Sequence, residues 1–154
     1  MKKARLLTLR PAGQSDRDFA WETWADAVKP HIMPVILEKF QRDWNDDEEM
    51  GRFTEWWQPS ASTIIVLGDL PVGWLATEEK SDEINLVNFV ISKKYRRHGI
   101  ASIVLGAKLN EWSSKFKTVT HSVLKSSGYA SFFEHRGFRL KTEEDFLLTM
   151  EASL

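Results

Sequence analysis

A short basic segment ending in a glycine contains the residue types best suited to binding an anion. Four cationic side chains stand just before Gly99, namely Lys93, Lys94, Arg96 and Arg97. A helix is predicted from about Gly99 onward, and the start of a helix leaves backbone N–H groups unpaired at its positive end. Gly99 would let a phosphate approach the backbone, and the small Ala101 keeps a following position open. The segment therefore predicts a phosphate-binding turn, although charge and glycine alone also fit a solvated basic loop.

Composition excludes several other kinds of site. The 154 residues contain no cysteine, which rules out disulfides, thiolate metal sites and a cysteine nucleophile, and we expect no metal. The net charge of −1 argues against a general nucleic-acid binder. No apolar run approaches the roughly 20 residues of a membrane span, and the N-terminal apolar stretch is too short for a signal peptide. We therefore expect a cytoplasmic protein without nucleic-acid or membrane partners.

Hydrophobic periodicity predicts an α+β chain that forms one domain over residues 1–154, since no linker or repeat divides it. Segments with helical spacing are predicted as helices, at residues 15–28, 35–43, 46–57, 99–114 and 129–135. Segments rich in β-branched or alternating residues are predicted as strands, at residues 5–10, 62–67, 72–77, 83–92, 118–124, 138–140 and 146–150. Pro30 and Pro34 are expected to separate the first two helices, because proline interrupts helical hydrogen bonding.

Two motifs in this order of elements resemble those of the GNAT acetyltransferase superfamily. Residues 96–101 (Arg-Arg-His-Gly-Ile-Ala) match its Arg/Gln-x-x-Gly-x-Gly/Ala signature. Residues 130–138 (Ala-Ser-Phe-Phe-Glu-His-Arg-Gly-Phe) look like its helix and Gly-Phe closing segment. The resemblance covers residues 62–150 well. It implies a mixed, mostly antiparallel sheet flanked by helices and splayed between the strands at 83–92 and 118–124.

The resemblance also implies acetyl-CoA as the co-substrate. Its pantetheine arm would lie in the gap between the splayed strands and pair with backbone there, while its pyrophosphate would bind the N–H groups where the next helix starts. The implied binding residues are Val90, Ile91, Arg96, Arg97, His98, Gly99, Ile100, Ala101 and Ser102. The glycine patterns of Rossmann and P-loop nucleotide sites do not occur in the chain. The implied cofactor site therefore coincides with the predicted phosphate-binding turn.

The catalytic residues of the resembled family are only partly present. Acyl transfer to an amine needs a polarised carbonyl, for which a strand N–H near Ile91 would serve, and a proton for the departing thiolate. The family's frequent tyrosine is replaced by Phe133, its frequent asparagine by Ser127, and its strand carboxylate has no counterpart. Ser127 and Tyr129 are our candidates for assisting the thiolate, and His121 is a candidate base. A surface role for Tyr129 and a structural role for His121 stay open.

The implied activity is acetyl transfer to a primary amine of a small molecule or peptide. The alternative is a non-catalytic acyl-CoA-binding sensor or interaction module, and a homodimer is compatible with the sequence. Residues 1–80 carry 10 basic and 14 acidic residues, a net charge of −4, which suggests a cationic acceptor on that side. The acidic run 46–49 and the nearby tryptophans suggest the same, although helix-terminal charge and core packing explain them equally well. His31 is a further candidate base on the acceptor side.

Overall fold

The structure is a computed structural model that describes residues 5–154. The strands are β1 (Leu7–Pro11), β2 (Ser62–Leu67), β3 (Leu70–Lys80), β4 (Glu83–Ile91), β5 (Thr118–Leu124), β6 (Arg139–Glu143) and β7 (Leu147–Ser153). The helices are α1 (Arg17–Phe40), α2 (Asp46–Trp56), α3 (Ile100–Trp112) and α4 (Ala130–Glu134). Within residues 5–154, none of these helices is both long enough and apolar enough to cross a bilayer.

The seven strands form one sheet in the order β1-β2-β3-β4-β5-β7-β6. Every neighbouring pair is antiparallel except β4 and β5, which run parallel. That parallel pairing extends only from Glu83 opposite Thr118 to Leu86 opposite His121. Beyond this point the two strands separate. The predicted α+β class, with a mixed, mostly antiparallel and splayed sheet flanked by helices, is therefore confirmed.

An irregularity in β4 lies where the two strands part. Thr77 of β3 stands opposite Leu86, but the preceding Ala76 stands opposite Asn88. Val87 is therefore an extra residue, a β-bulge, and its side chain is exposed. Bulges bend the strand that carries them and end regular pairing, so this one favours the separation of β4 from β5.

Each face of the sheet carries its own hydrophobic core. On the α1 and α2 face the buried residues include Trp21, Phe53, Trp57, Trp74 and Val90. On the α3 and α4 face they include Leu86, Ile91, Leu105, Val119 and Phe133. Full burial of one such large apolar side chain stabilises the fold by about 1.5–3 kcal/mol. Both cores reach the splayed end of β4, so the gap between β4 and β5 has packed walls on each face.

The predicted division of the N-terminal helices at Pro30 and Pro34 is wrong. Helix α1 is continuous from Arg17 to Phe40 and includes both prolines. Each proline removes one hydrogen bond to the carbonyl four residues earlier, but both prolines are exposed, so water can bind the carbonyls that are released. The helix ends instead at Gln41, whose φ of 52° is left-handed and whose N–H bonds to Leu37 at 3.0 Å.

Candidate functional site

A cavity of about 580 Å³ opens where β4 and β5 separate. This size is in the range of small-molecule sites. Its walls come from α1, β4, the turn before α3, β5 and α4, and the lining residues are Ala27, Phe89, Val90, Ile91, Tyr95, Arg96, Arg97, Gly99, Ile100, Ala101, Ser102, His121, Tyr129, Phe132 and Phe133. The structure thus brings together most of the residues predicted from the sequence, with His31, His98 and Ser127 outside the lining.

The backbone of β4 offers one edge to this gap. Ser92 donates its N–H to the Val72 carbonyl of β3 at 2.8 Å. Since successive residues of a strand direct their N–H groups to opposite edges, the Ile91 N–H faces the gap and the Val90 N–H faces β3. Val90 therefore contributes its side chain to the cavity, and Ile91 contributes a free backbone donor. A donor in this position can polarise a carbonyl group.

The turn between β4 and α3 has an unusual backbone. Arg97 has φ of 64° and Gly99 has φ of 80°, both in the left-handed region. Gly99 is the N-cap of α3, and the first bond of the helix runs from the Ile103 N–H to the Gly99 carbonyl at 3.1 Å. Within residues 5–154, the backbone N–H groups of 97–102 make no hydrogen bond. Such a run of unpaired donors at a positive helix end is an anion-binding feature.

The two arginines of this turn have different environments. Arg96 donates through Nε to the Ile91 carbonyl at 2.8 Å and through Nη2 to Asp26 of α1 at 3.3 Å. Its guanidinium therefore holds β4, the turn and α1 together, with its charge partly neutralised. Arg97 is exposed and has no carboxylate partner among residues 5–154, so its charge is available to a ligand. His98 is exposed beside it.

His121 lines the cavity at the last position where β5 pairs with β4, opposite Leu86. Its Nδ1 donates to the Leu86 carbonyl at 2.7 Å, and its ring lies 4.6 Å from that of Phe133. Burial lowers the pKa of His121 to about 4, against the weaker opposing effect of the Leu86 carbonyl. The ring is therefore neutral near pH 7 and carries its lone pair on Nε2. A pKa this low does not match the near-neutral base that the sequence suggested, and it favours a hydrogen-bond acceptor.

The free lone pair of His121 faces the cavity. Nε2 has no hydrogen-bond partner among residues 5–154. The only fully buried side-chain nitrogen or oxygen without a partner in that range is Trp57 Nε1. His121 Nε2 is consequently not sealed inside the protein, and the space next to this residue is the cavity.

Tyr129 and Ser127 differ in their access to the cavity. Tyr129 lines the cavity and has 43% of its surface exposed. The Ser127 hydroxyl donates to the Leu124 carbonyl at 2.7 Å and accepts from the Tyr129 N–H at 3.2 Å, so it stabilises the local turn. The Phe133 ring lines the cavity and is otherwise buried, but it carries no proton to give. Of the three residues compared here, only Tyr129 thus brings a hydroxyl group to the cavity, whose other hydroxyl-bearing lining residues are Tyr95 and Ser102.

A second contact brings α1 to the same place. The rings of His31 and Tyr129 lie 5.9 Å apart at an angle of 75°. The Ser126 hydroxyl donates to the His31 carbonyl at 3.2 Å, which joins α1 to the loop after β5. Ala27, one helical turn before His31, lines the cavity. Sequence reasoning suggested His31, which contacts Tyr129 without itself lining the cavity. It missed Ala27, because only the tertiary position of α1 places this residue in the cavity wall.

The acidic run of α2 lies outside the cavity. Glu49 is buried and pairs with Arg42 at 2.8 Å and with Arg52 at 2.6 Å. Asp46 accepts a hydrogen bond from Trp44 and lies 3.5 Å from Lys29. No carboxylate is among the lining residues that the structure describes. The idea that this run attracts a cationic acceptor into the cavity therefore gains no support from the geometry.

No protein-family model matches the sequence, and no curated protein matches it significantly. Solved structures do match. PaiA N-acetyltransferase from Thermoplasma acidophilum, solved in complex with coenzyme A, aligns with a TM-score of 0.69 and 14% identity over 97% of this chain and 99% of that one. A GCN5-related N-acetyltransferase from Rhodopseudomonas palustris aligns with a TM-score of 0.71 and 14% identity over 100% and 99%.

A third solved structure is the ribosomal-protein-S18-alanine N-acetyltransferase from Escherichia coli, which aligns with a TM-score of 0.65 and 15% identity over 96% of this chain and 94% of that one. All three alignments extend over nearly the whole of both chains. At such low identities they establish the architecture, and the resemblance found in the sequence is confirmed at that level. The chain has the fold of the GNAT N-acetyltransferases.

Proposed function

We propose that the protein is an N-acetyltransferase that uses acetyl-CoA and moves its acetyl group directly to a primary amine. The observation that carries this proposal is the continuity of one cavity from the gap between β4 and β5 to the unpaired N–H groups of residues 97–102. An extended amide-containing arm fits beside a strand edge with a free donor, and a pyrophosphate fits a helix start. Coenzyme A has these two parts in this order, and it is bound in the Thermoplasma acidophilum neighbour.

The residues of the cavity can support acyl transfer without a covalent enzyme intermediate. Acetyl-CoA supplies an acyl group already activated as a thioester. The Ile91 N–H is suited to donate to the carbonyl oxygen as charge develops there. The Tyr129 hydroxyl is suited to give a proton to the departing sulfur. His121 would accept a hydrogen bond from the bound acyl arm through Nε2. Ser127 remains a candidate for assisting the sulfur, with weaker support because its hydroxyl is engaged in a turn.

The acceptor is proposed to be the primary amine of a small molecule or peptide. The Escherichia coli neighbour is named for an alanine of ribosomal protein S18, and a Neisseria gonorrhoeae neighbour is an N-acetylglutamate synthase. Both kinds of acceptor are compatible with a cavity that opens beside α1. We further propose one acetyltransferase domain over residues 1–154, active in the cytoplasm without nucleic-acid or membrane partners. For its assembly we propose a homodimer, which a measurement of the molecular mass in solution would test.

Two measurements on the wild-type protein test this proposal. Acetyl-CoA at ~100 times its dissociation constant should add about 2.7 kcal/mol to the free energy of unfolding, which a thermal shift will report. Release of free CoA should then depend on an added primary amine, across a panel of amino acids, peptides, polyamines and aryl amines. Absence of any thermal shift at millimolar acetyl-CoA would refute the proposal.

A second candidate function is a non-catalytic acyl-CoA sensor or interaction module. It is favoured by one specific observation, the apolar Phe133 where the resembled family frequently has a tyrosine. Tight acetyl-CoA binding with no amine-dependent CoA release over the whole panel would support the sensor. Amine-dependent release that is lost on removing the Tyr129 hydroxyl would support the enzyme.

A further inference from the structure

Arg136 follows α4 and reaches the start of α3. Its guanidinium carbon lies 3.7 Å from the centroid of the Phe132 ring. Nη1 donates to the Phe132 carbonyl at 2.8 Å, and Nη2 donates to the Ser102 hydroxyl. Both Phe132 and Ser102 line the cavity. Arg136 is therefore held in a defined position at the edge of the cavity, next to the phosphate-binding turn.

The charge of Arg136 has no counter-ion in the part of the chain that the structure describes. Among residues 5–154, no carboxylate oxygen lies within 4.0 Å of its nitrogens. Arg96, only a few residues from Ser102 in the sequence, is by contrast paired with Asp26. The absence of a partner is notable for a side chain that is partly buried and held by three contacts.

The position of this charge is unfavourable for the isolated protein. Ser102 belongs to the first turn of α3, whose end carries partial positive charge and whose N–H groups are unpaired. A guanidinium bonded to Ser102 adds a full positive charge to the same place. An anion bound between them would turn this repulsion into attraction from both sides. The arrangement therefore points to an anionic ligand that contacts the helix start and Arg136 together.

We propose that Arg136 is a phosphate ligand for the nucleotide half of CoA, contacting it from the α4 side while residues 97–102 contact it from the turn. This inference rests on the proposed function, since it assumes that the cavity takes acetyl-CoA. The guanidinium has five N–H donors, so its bonds to Phe132 and Ser102 leave others free for phosphate oxygens. Stacking on Phe132 orients the planar group and reduces the freedom lost on binding.

CoA offers two phosphate groups to such a residue, the pyrophosphate and the 3′-phosphate of the ribose, and titration calorimetry can distinguish them. The ligands are acetyl-CoA and 3′-dephospho-acetyl-CoA, and the proteins are the wild type, Arg136→Met and Arg136→Lys. The control is Arg139→Met, because Arg139 is an exposed arginine on the edge strand β6 that likewise has no carboxylate partner among the described residues. Thermal melting without ligand checks that each variant is folded.

We expect Arg136→Met to weaken acetyl-CoA binding by roughly 10- to 100-fold, the value of a charge-assisted hydrogen bond. Arg136→Lys should recover part of this loss, and Arg139→Met should bind as the wild type does. If Arg136 contacts the 3′-phosphate, Arg136→Met will not affect dephospho-acetyl-CoA binding; if it contacts the pyrophosphate, binding of both ligands will weaken. Wild-type affinity of a folded Arg136→Met for both ligands would overturn this inference alone. No binding of acetyl-CoA to the wild type would overturn the proposed function as well.

Discussion

The turn before α3 and the α1 side of the cavity are built in different ways. The turn presents backbone N–H groups from six consecutive residues, 97–102, oriented by left-handed residues at 97 and 99. The α1 side presents side chains from distant segments, with His31 and Tyr129 brought together by the path of a helix and a loop. A backbone site tolerates many side-chain changes but few backbone changes. A side-chain site has the opposite sensitivity.

The two regions also differ in how closely they match the motifs of the resembled family. The turn keeps the glycine and the small residue that its geometry requires, at Gly99 and Ala101. The positions proposed for catalysis have Phe133 and Ser127 where the resembled family frequently has other residues. We infer that binding of the cofactor depends on local backbone, and that turnover depends on what the side chains of this particular chain can do. The following predictions test that division.

The largest effect is expected from Gly99→Asp. The substitution places a carboxylate where the phosphate would bind and forces an L-residue to φ of 80°, which costs roughly 1–2 kcal/mol. Acetyl-CoA affinity measured by calorimetry should fall by at least ~100-fold. Gly99→Ala is the control, since it has at least the same backbone cost without the charge. Its new Cβ would meet no atom of residues 5–154 within 4 Å beyond its chain neighbours. Equal losses for both variants would show that backbone strain alone is responsible.

Tyr129→Phe should affect turnover, the property that we assign to the side chains on the α1 side of the cavity. If its hydroxyl protonates the departing sulfur, kcat should fall by about 100-fold, the lower range for a general acid, while acetyl-CoA affinity stays near the wild-type value. Steady-state kinetics and calorimetry on one preparation will separate the two quantities. Ser127→Ala is the comparison variant, and we expect it to affect stability more than kcat, because its hydroxyl is bonded within a turn. An unchanged kcat for Tyr129→Phe would remove it from the mechanism.

His121 lines the same cavity and should make stability depend on pH. Its pKa is about 4 in the folded protein and near 6.5 when unfolded, so the unfolded chain binds a proton first as the pH falls. This contribution to stability is fully present well above pH 6.5 and is lost as the pH falls toward 4; by pH 5 about 2 kcal/mol of it is gone. Urea denaturation at several pH values will measure it. His121→Asn should lose this dependence and His135→Asn should keep it; a wild-type profile that is flat from pH 7 to 5 would contradict the assignment.

The smallest effect is expected from Phe133→Tyr. The new hydroxyl would enter the cavity next to the His121 ring, which lies 4.6 Å from Phe133. If protonation of the sulfur limits turnover, kcat should rise by a few fold, less than a full general acid contributes, because the proposed role of Tyr129 would already supply a proton. The measurement is amine-dependent CoA release at saturating acetyl-CoA. A lower kcat in a folded variant would indicate that the hydroxyl bonds to His121 and is withheld from the reaction.

Local patterns in the sequence were sufficient for the fold and for the position of the basic turn at the start of α3; phosphate binding there stays a prediction. The glycine at position 99, the basic residues before it and the apolar spacing after it are all neighbours in the chain, so their meaning does not depend on tertiary structure. The continuity of α1 was not predictable in this way, because exposure decides whether the prolines at 30 and 34 break a helix. The side chain of Arg96 is oriented by Asp26, which lies 70 positions away in the sequence. The side chain of Arg136 is oriented by Ser102, which lies 34 positions away. Single-residue propensities contain no information about such contacts.

The β-bulge at Val87 changes which residues of β4 face each side of the sheet. In a regular strand, Leu86 and Val90 would point to the same face, since residues an even number apart do so. Here Leu86 packs on the α3 and α4 face and Val90 on the α1 and α2 face. The inserted residue thus reverses, from Asn88 onward, which residues point their side chains to which face of the sheet. It also determines that the N–H of Ile91, and not that of Val90, points into the gap. Deleting Val87 would restore the ordinary alternation, exchange these two positions and withdraw the Ile91 donor, without altering any residue that lines the cavity.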